Sequence, residues 1–148
     1  MTINVSDMMS KNLELVEAMT SVMEAARKMK EKNVSSLVIV DNEKRPIGIV
    51  TERDLVRKAC VNDIRTSAIN VNEIMSSPII TIDSSSSASE AIDRMVQNNV
   101  RHLLVLDKKN NKNINKPVGI ITPLDLRDEE YTDEGLQRAI QELSAYYK

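Results

Sequence analysis

Apolar positions along this chain fall into two kinds of run, and each kind occurs twice in the same order. Val22, Ala25, Ala26 and Met29 recur at helical spacing, as do Ala88, Ala91, Ile92 and Met95, which predicts two amphipathic helices. Glu24 follows Ser21 by three positions and Glu90 follows Ser87 by three. Both pairs read as capping boxes with the acid near the positive end of the helix. Asn33 and Asn99 then mark helix stops. Each stop precedes an apolar run without polar alternation, Leu37-Val-Ile-Val40 or Leu103-Leu-Val-Leu106, the pattern of a strand buried on both faces. A polar turn, Asp41 to Arg45 or Asp107 to Lys116, leads to another strand, Ile47 to Val50 or Val118 to Ile121. Extended pieces, Asn12 to Val16 and Pro78 to Asp83, come before the helices. A second helix opens at Thr51 or Thr122, where Pro123 suits the first helical position.

Each half therefore reads β-α-β-β-α, and the halves are copies. Val5-Ser-Asp-Met-Met9-Ser10 returns as Val71-Asn-Glu-Ile-Met75-Ser76. Pro46-Ile-Gly48-Ile-Val-Thr51-Glu-Arg-Asp54 returns as Pro117-Val-Gly119-Ile-Ile-Thr122-Pro-Leu-Asp125. The offset between copies lengthens within the polar run Lys108 to Lys116, where a surface loop grows cheaply. One unit of about 55 residues buries too little surface to be comfortable alone. The expectation is an α/β (α+β) fold of two βαββα repeats, packed sheet to sheet about a pseudo-twofold axis. The first repeat spans 1–60, a connecting segment 61–70, the second repeat 71–127 and a tail 128–148. A tail helix from Asp133 to Tyr147 aligns Leu136, Ile140, Leu143 and Tyr147 on one face. That face suits the module or a second subunit better than a membrane, since the opposite face is not markedly basic.

Composition narrows the function. The 148 residues carry a net charge of −2 and a pI near 5.5, so no overall basic field draws the chain to nucleic acid or an anionic membrane. No run of about 18 apolar residues predicts a membrane span, and the first residues have neither a basic start nor an apolar signal core. The lone cysteine, Cys60, suits a reducing cytosol and reads as a small core residue in the helical stretch Leu55 to Val61. A cytoplasmic protein is expected. Aromatic residues make up 2% of the chain, with no Phe or Trp, which removes the stacking platforms of a single-strand nucleic-acid binder. Metal-ligand spacing is absent, so no zinc site is expected. The eight methionines mostly occupy helical core positions.

The sharpest chemistry is the repeated Gly-x-x-Thr-x-x-Asp. A Thr followed three residues on by an acid resembles a capping box, and the glycines permit close strand contact. The same geometry suits a ligand. A helix N-terminus favours phosphate, and an Asp in the first turn suits a ribose diol, as an acid does in dinucleotide folds. The two readings are not exclusive.

The βαββα repeat, the Val-x-x-Ile-Met-Ser opening and the Gly-h-h-Thr-x-x-Asp close (h, apolar) resemble a tandem pair of CBS domains over residues 3 to 127. The resemblance implies a regulatory nucleotide sensor. Such pairs bind AMP, ADP, ATP, NAD or S-adenosylmethionine in two clefts between the repeats and commonly associate into a flat dimer. It places Asp54 and Asp125 on ribose hydroxyls and Thr51 and Thr122 toward phosphate. Leu13 to Leu15 and Ile79 to Thr81, including Ile80, would flank the base with Ser36, Leu37, His102 and Leu103. Arg101 and His102 stand where the first copy has Ser35 and Ser36, and basic residues there suit a phosphate. Arg53 adds charge in the first copy where the second has Leu124. On balance the Asp125 site is expected to be the better formed, with Arg101 and His102 as helpers. A packed or hydrogen-bonded core histidine is the plain alternative for His102.

The leading function is an adenosyl-ligand-binding regulatory module that signals through inter-repeat or dimer geometry to an effector protein. The alternative is a nucleic-acid-binding module using Lys108, Lys109, Lys112 and Lys116, disfavoured by the charge balance. An enzyme would need a nucleophile or acid–base pair converging in a cleft, and the Thr/Asp pairs look like binding groups instead.

Overall fold

The computed structural model describes residues 3–107, 116–126 and 141. In chain order its elements are α1 (Val5–Met8), β1 (Leu15–Glu17), α2 (Val22–Lys32), β2 (Ser36–Val40), β3 (Pro46–Thr51) and α3 (Glu52–Asp54). A π-helical turn at Leu55–Cys60 follows, then short 3-10 turns at Thr66–Ala68 and Val71–Glu73. β4 (Thr81–Asp83), α4 (Ala88–Asn98), β5 (Leu103–Asp107), β6 (Lys116–Ile121) and a 3-10 turn at Pro123–Leu126 complete the described chain. The expected tail helix and Lys108, Lys109 and Lys112 lie outside the described residues.

The chain divides into two compact units, Leu13–Ile79, and Met1–Asn12 with Ile80–Lys148. Each holds one three-stranded sheet, β1-β2-β3 or β4-β5-β6. In each, the first two strands are parallel and the last two antiparallel. This is the topology that a helical crossover followed by an antiparallel return produces. The fold is thus mixed α/β with two copies of the expected β-α-β-β order.

The helices begin and end where their sequences direct. Ser21 Oγ accepts from Glu24 N–H at 3.1 Å and Ser87 Oγ from Glu90 N–H at 3.2 Å. In neither case does the Glu carboxylate return to the serine N–H, so each is half of the expected box. Asn33 and Asn99 close the helices in the left-handed conformation, at φ 53° and 54°. Val34 N–H then bonds Met29 O at 3.0 Å, and Val100 N–H bonds Met95 O at 3.0 Å. Asparagine tolerates this conformation because its short polar side chain can bond locally.

The cores contain an exchange that the sequence did not announce. In the unit Leu13–Ile79, Val22, Ala25, Met29, Leu37, Ile39 and Val50 pack with Val71 and Ile74, which open the second repeat. In the other unit, Ala91, Ile92, Met95, Leu103, Val105 and Ile121 pack with Val5 and Met8, which open the first. Each repeat's opening segment therefore completes the core that holds the other repeat's strands. Backbone bonds fasten it there: Ile49 N–H to Ser76 O at 3.0 Å, and Ser76 N–H to Ile49 O at 2.9 Å. The counterparts are Ile120 N–H to Ser10 O at 3.0 Å, and Ser10 N–H to Ile120 O at 2.8 Å.

β2 is buried from Leu37 to Val40, as expected of a strand covered on both faces. Cys60 is a correction. It is exposed, because the turn it ends is π-helical and Ala59, fully buried, takes the inward position.

Candidate functional site

Each sheet brings the same chemistry to one end. Parallel pairing of β1 with β2 and antiparallel pairing of β2 with β3 put the starts of the first two strands beside the finish of the third. Ser36 consequently stands opposite Thr51, and Leu37 opposite Val50. Leu13 lies just ahead of β1, half-buried, and its neighbour's carbonyl, Glu14 O, accepts from Val38 N–H at 3.0 Å. In the other unit Leu103 faces Ile121 and Thr81 faces Leu104. Ile80 O accepts from Leu104 N–H at 3.0 Å. Ile80, Thr81, His102, Leu103 and Thr122 are thereby gathered at one end of β4-β5-β6.

The Thr–Asp pairs occupy those ends. Thr51 N–H donates to Asp54 Oδ2 at 2.9 Å, its hydroxyl reaches the same oxygen at 3.1 Å, and Asp54 N–H returns to Thr51 Oγ1 at 3.2 Å. Thr122 N–H donates to Asp125 Oδ2 at 2.8 Å and its hydroxyl is 3.3 Å from that oxygen. Asp125 N–H bonds Thr122 O at 3.1 Å instead, because Pro123 opens a 3-10 turn there. The capping box is complete at Thr51 and Asp54, whereas Thr122 and Asp125 form only its carboxylate half; in both copies the carboxylate is held by its own threonine.

What remains free on each carboxylate differs. Asp54 Oδ1 is 3.2 Å from Lys58 Nζ, one helical turn on. Among the described residues nothing donates to Asp125 Oδ1. Burial pushes the Asp125 carboxyl above the ordinary carboxylate range, against the lowering effect of the Thr122 N–H and hydroxyl. An acceptor oxygen in a half-buried position, with no donor among the described residues, is suited to a ligand hydroxyl.

The remaining expected residues are placed as follows. Leu37 and Leu103 are wholly buried in their cores, so their side chains face the helices. Arg101 and His102 are half-buried just before β5, and Arg53 is exposed on α3. Sequence reading missed Lys28, Arg94 and Lys58. Lys28 Nζ donates to Leu15 O at 2.6 Å, and Arg94 Nη1, its counterpart, donates to Thr81 O at 2.7 Å. Each helix thus clamps the first strand beside the site. The clue was a cation at the same repeat position in both helices.

A separate open pocket of about 520 Å³ lies in the unit Leu13–Ile79. Ala26, Met29, Val34 and Leu55 supply its apolar lining, and Lys30, Asn33, Ser35 and Glu52 its polar lining. It borders the Thr51–Asp54 pair without including either residue. Among the described residues no group of His, Cys, Asp and Glu could hold a metal ion, and no helix is long and apolar enough to cross a membrane.

Comparison with known proteins agrees with the duplicated fold. The family described as CBS domain matches residues 5–60 and again 71–131. An uncharacterized protein of Methanopyrus kandleri is 36% identical over 106 residues, covering 72% of this chain and 52% of that one. The chain thus spans about half the length of that relative. A solved structure from Pyrococcus horikoshii is 29% identical with a TM-score of 0.74, covering 90% of this chain and 96% of its own. The CBS domain pair of protein MJ0100, solved in complex with 5′-methylthioadenosine and S-adenosyl-L-methionine, is 28% identical. Its TM-score is 0.68, and the match covers 84% of this chain and 96% of that one.

Proposed function

The chain belongs to the CBS domain family, with two tandem copies, and on that footing we propose that it is a regulatory module binding an adenosyl ligand. The observation that carries this reading is the Asp125 carboxylate. One oxygen is fixed by Thr122 at 2.8 Å and the other engages no described residue, which suits it to accept a ribose hydroxyl. Ile80, Thr81, His102 and the Leu103 backbone surround the adenosyl group, with Arg101 toward any phosphate. Thr51, Asp54, Leu13, Ser36 and the Leu37 backbone form the equivalent site, and Arg53 adds charge there. The relative crystallised with two adenosine derivatives supports this ligand class.

AMP, ADP, ATP, NAD, S-adenosylmethionine and 5′-methylthioadenosine share the adenosyl group. Occupancy alters repeat or dimer geometry and passes to an effector protein in the cytoplasm. The repeats run 1–60 and 71–127 about the connecting segment 61–70, and the tail 128–148 follows them. A micromolar ligand supplies about −8 kcal/mol, ample for a coupling of about 1–3 kcal/mol, but only its differential affinity for the two states does the shifting. The Thr–Asp pairs act as binding groups and the module is not catalytic.

Calorimetry with each of these compounds on wild type, Asp54→Ala and Asp125→Ala tests the proposal. At least one adenosyl compound binds wild type, and Asp125→Ala weakens it more than Asp54→Ala. Undiminished binding in both variants removes the ribose assignment.

A further inference from the structure

Lys58 joins two things that the repeat otherwise keeps apart. Its ammonium is 3.2 Å from Asp54 Oδ1 and donates to Ile74 O at 2.9 Å. Ile74 belongs to the exchanged opening segment, whose next residues Met75 and Ser76 lie against Gly48. The segment is bonded through Ser76 to Ile49. One cation therefore spans from the proposed ribose ligand to the segment that closes this unit's core. The side chain is 44% exposed, so the pair is one that a ligand can displace.

The acceptor count at Asp54 makes displacement necessary. A carboxylate offers about four lone-pair sites. Thr51 N–H and Oγ1 take those on Oδ2, and Lys58 takes one on Oδ1. A single site is left, whereas the two neighbouring hydroxyls of a ribose require two. At Asp125 both sites on Oδ1 are open among the described residues. The repeat also changes charge at this point, since the offset that matches Asp54 to Asp125 matches Lys58 to Glu129.

We infer that Lys58 is a latch on the Asp54 site, released by a ribosyl ligand and read out through the segment Val71 to Ser76. The inference rests on the adenosyl reading above and gives its two sites different tasks. Among the described residues no cation is bonded to Asp125 Oδ1, as Lys58 is to Asp54 Oδ1. The Asp54 site binds at the expense of the Lys58 contacts, so its occupancy loosens Ile74 and the backbone pairing of Ser76 with Ile49.

The test uses 5′-methylthioadenosine, which has the ribose diol and no charged group for Lys58 to attract. Asp125→Ala isolates the Asp54 site, and Lys58→Met removes the cation while keeping an apolar stem. Calorimetry should show binding to the Asp125→Ala/Lys58→Met double variant about two- to fivefold tighter than to Asp125→Ala, the scale of an exposed ion pair. Hydrogen exchange supplies the second reading. Saturating ligand should speed exchange of the Ile49 and Ser76 amides in Asp125→Ala, and Lys58→Met should speed it without ligand. Binding by wild type with no gain in the double variant, or amides indifferent to both ligand and Lys58→Met, overturns the latch alone. No binding by any of these proteins overturns the adenosyl reading and the latch together.

Discussion

Gly48 and Met75 meet so closely that a Cβ built on Gly48 would stand 2.6 Å from Met75 Sδ. It would also stand 2.8 Å from Ser76 O. The other copy repeats the geometry: a Cβ on Gly119 would lie 2.6 Å from Ser10 O and 2.7 Å from Met9 Sδ. A methionine end can swing away, but a carbonyl held in a backbone bridge cannot. Gly48→Ala and Gly119→Ala should each destabilise by about 1–3 kcal/mol, read from urea midpoints. Adding Met75→Ala to Gly48→Ala should recover little, because Ser76 O stays in place. A Gly48→Ala protein as stable as wild type would mean that the segment is free to retreat.

The exchange of opening segments predicts that damage at the N-terminus appears far along the chain. Met8 is buried with Ile92, Met95 and Ile121, so Met8→Ala should cost about 2–5 kcal/mol. Deleting residues 1–12 should expose the Ile120 amide, which bonds Ser10 O. The strand Leu15–Glu17, next to the cut, should keep its protection from hydrogen exchange. Protection lost first in that strand would contradict the observed exchange.

The half-boxes at Ser21 and Ser87 separate two effects usually measured together. Each serine oxygen satisfies a helix N–H, so Ser21→Ala and Ser87→Ala should each cost about 1 kcal/mol. Glu24 and Glu90 act only through the helix dipole, and Glu24→Gln and Glu90→Gln should cost about 0.3–1 kcal/mol, shrinking as salt is added. Urea titrations at low and high salt distinguish the pairs. A loss for the Glu variants equal to the Ser variants and indifferent to salt would restore the full box.

Elements fixed by local pattern are legible in the sequence. The burial of Leu37 to Val40 follows from an apolar run without alternation, and the turns at Asn33 and Asn99 from a residue that tolerates positive φ. The Thr–Asp pairs were legible because both partners lie within one helical turn. Three features were not. The docking of Val5 and Val71 into cores built around the other copy's strands is a long-range choice, and periodicity is silent about which core a segment joins. The stretch around Cys60 reads as helical without showing that its turn is π-helical, which gives the inward place to Ala59. The Lys58 contact with Ile74 O joins positions 16 residues apart, although its spacing from Asp54 was there to be read.

Asp125 should be a site residue that the fold does not need in its charged form. Burial raises its carboxyl above the ordinary value of 3.8, so the folded state holds the proton more firmly than the unfolded chain. That contribution is full below the unfolded pKa and is lost as pH rises through the folded one. Asp125→Asn, whose amide oxygen can still accept from Thr122 N–H, should therefore gain on wild type as pH rises from about 3.5 to about 7. Urea midpoints of the unliganded proteins at the two ends measure it. A variant that loses ground on that climb would show that the ionised carboxylate supports the fold. Ligand binding has the opposite preference, because ribose hydroxyls donate to the carboxylate and favour its ionised form. Affinity of wild type for an adenosyl compound should rise over the same range, while any residual affinity of Asp125→Asn stays flat. A wild-type affinity that does not change with pH would detach Asp125 from the ligand, whatever else the compound touches.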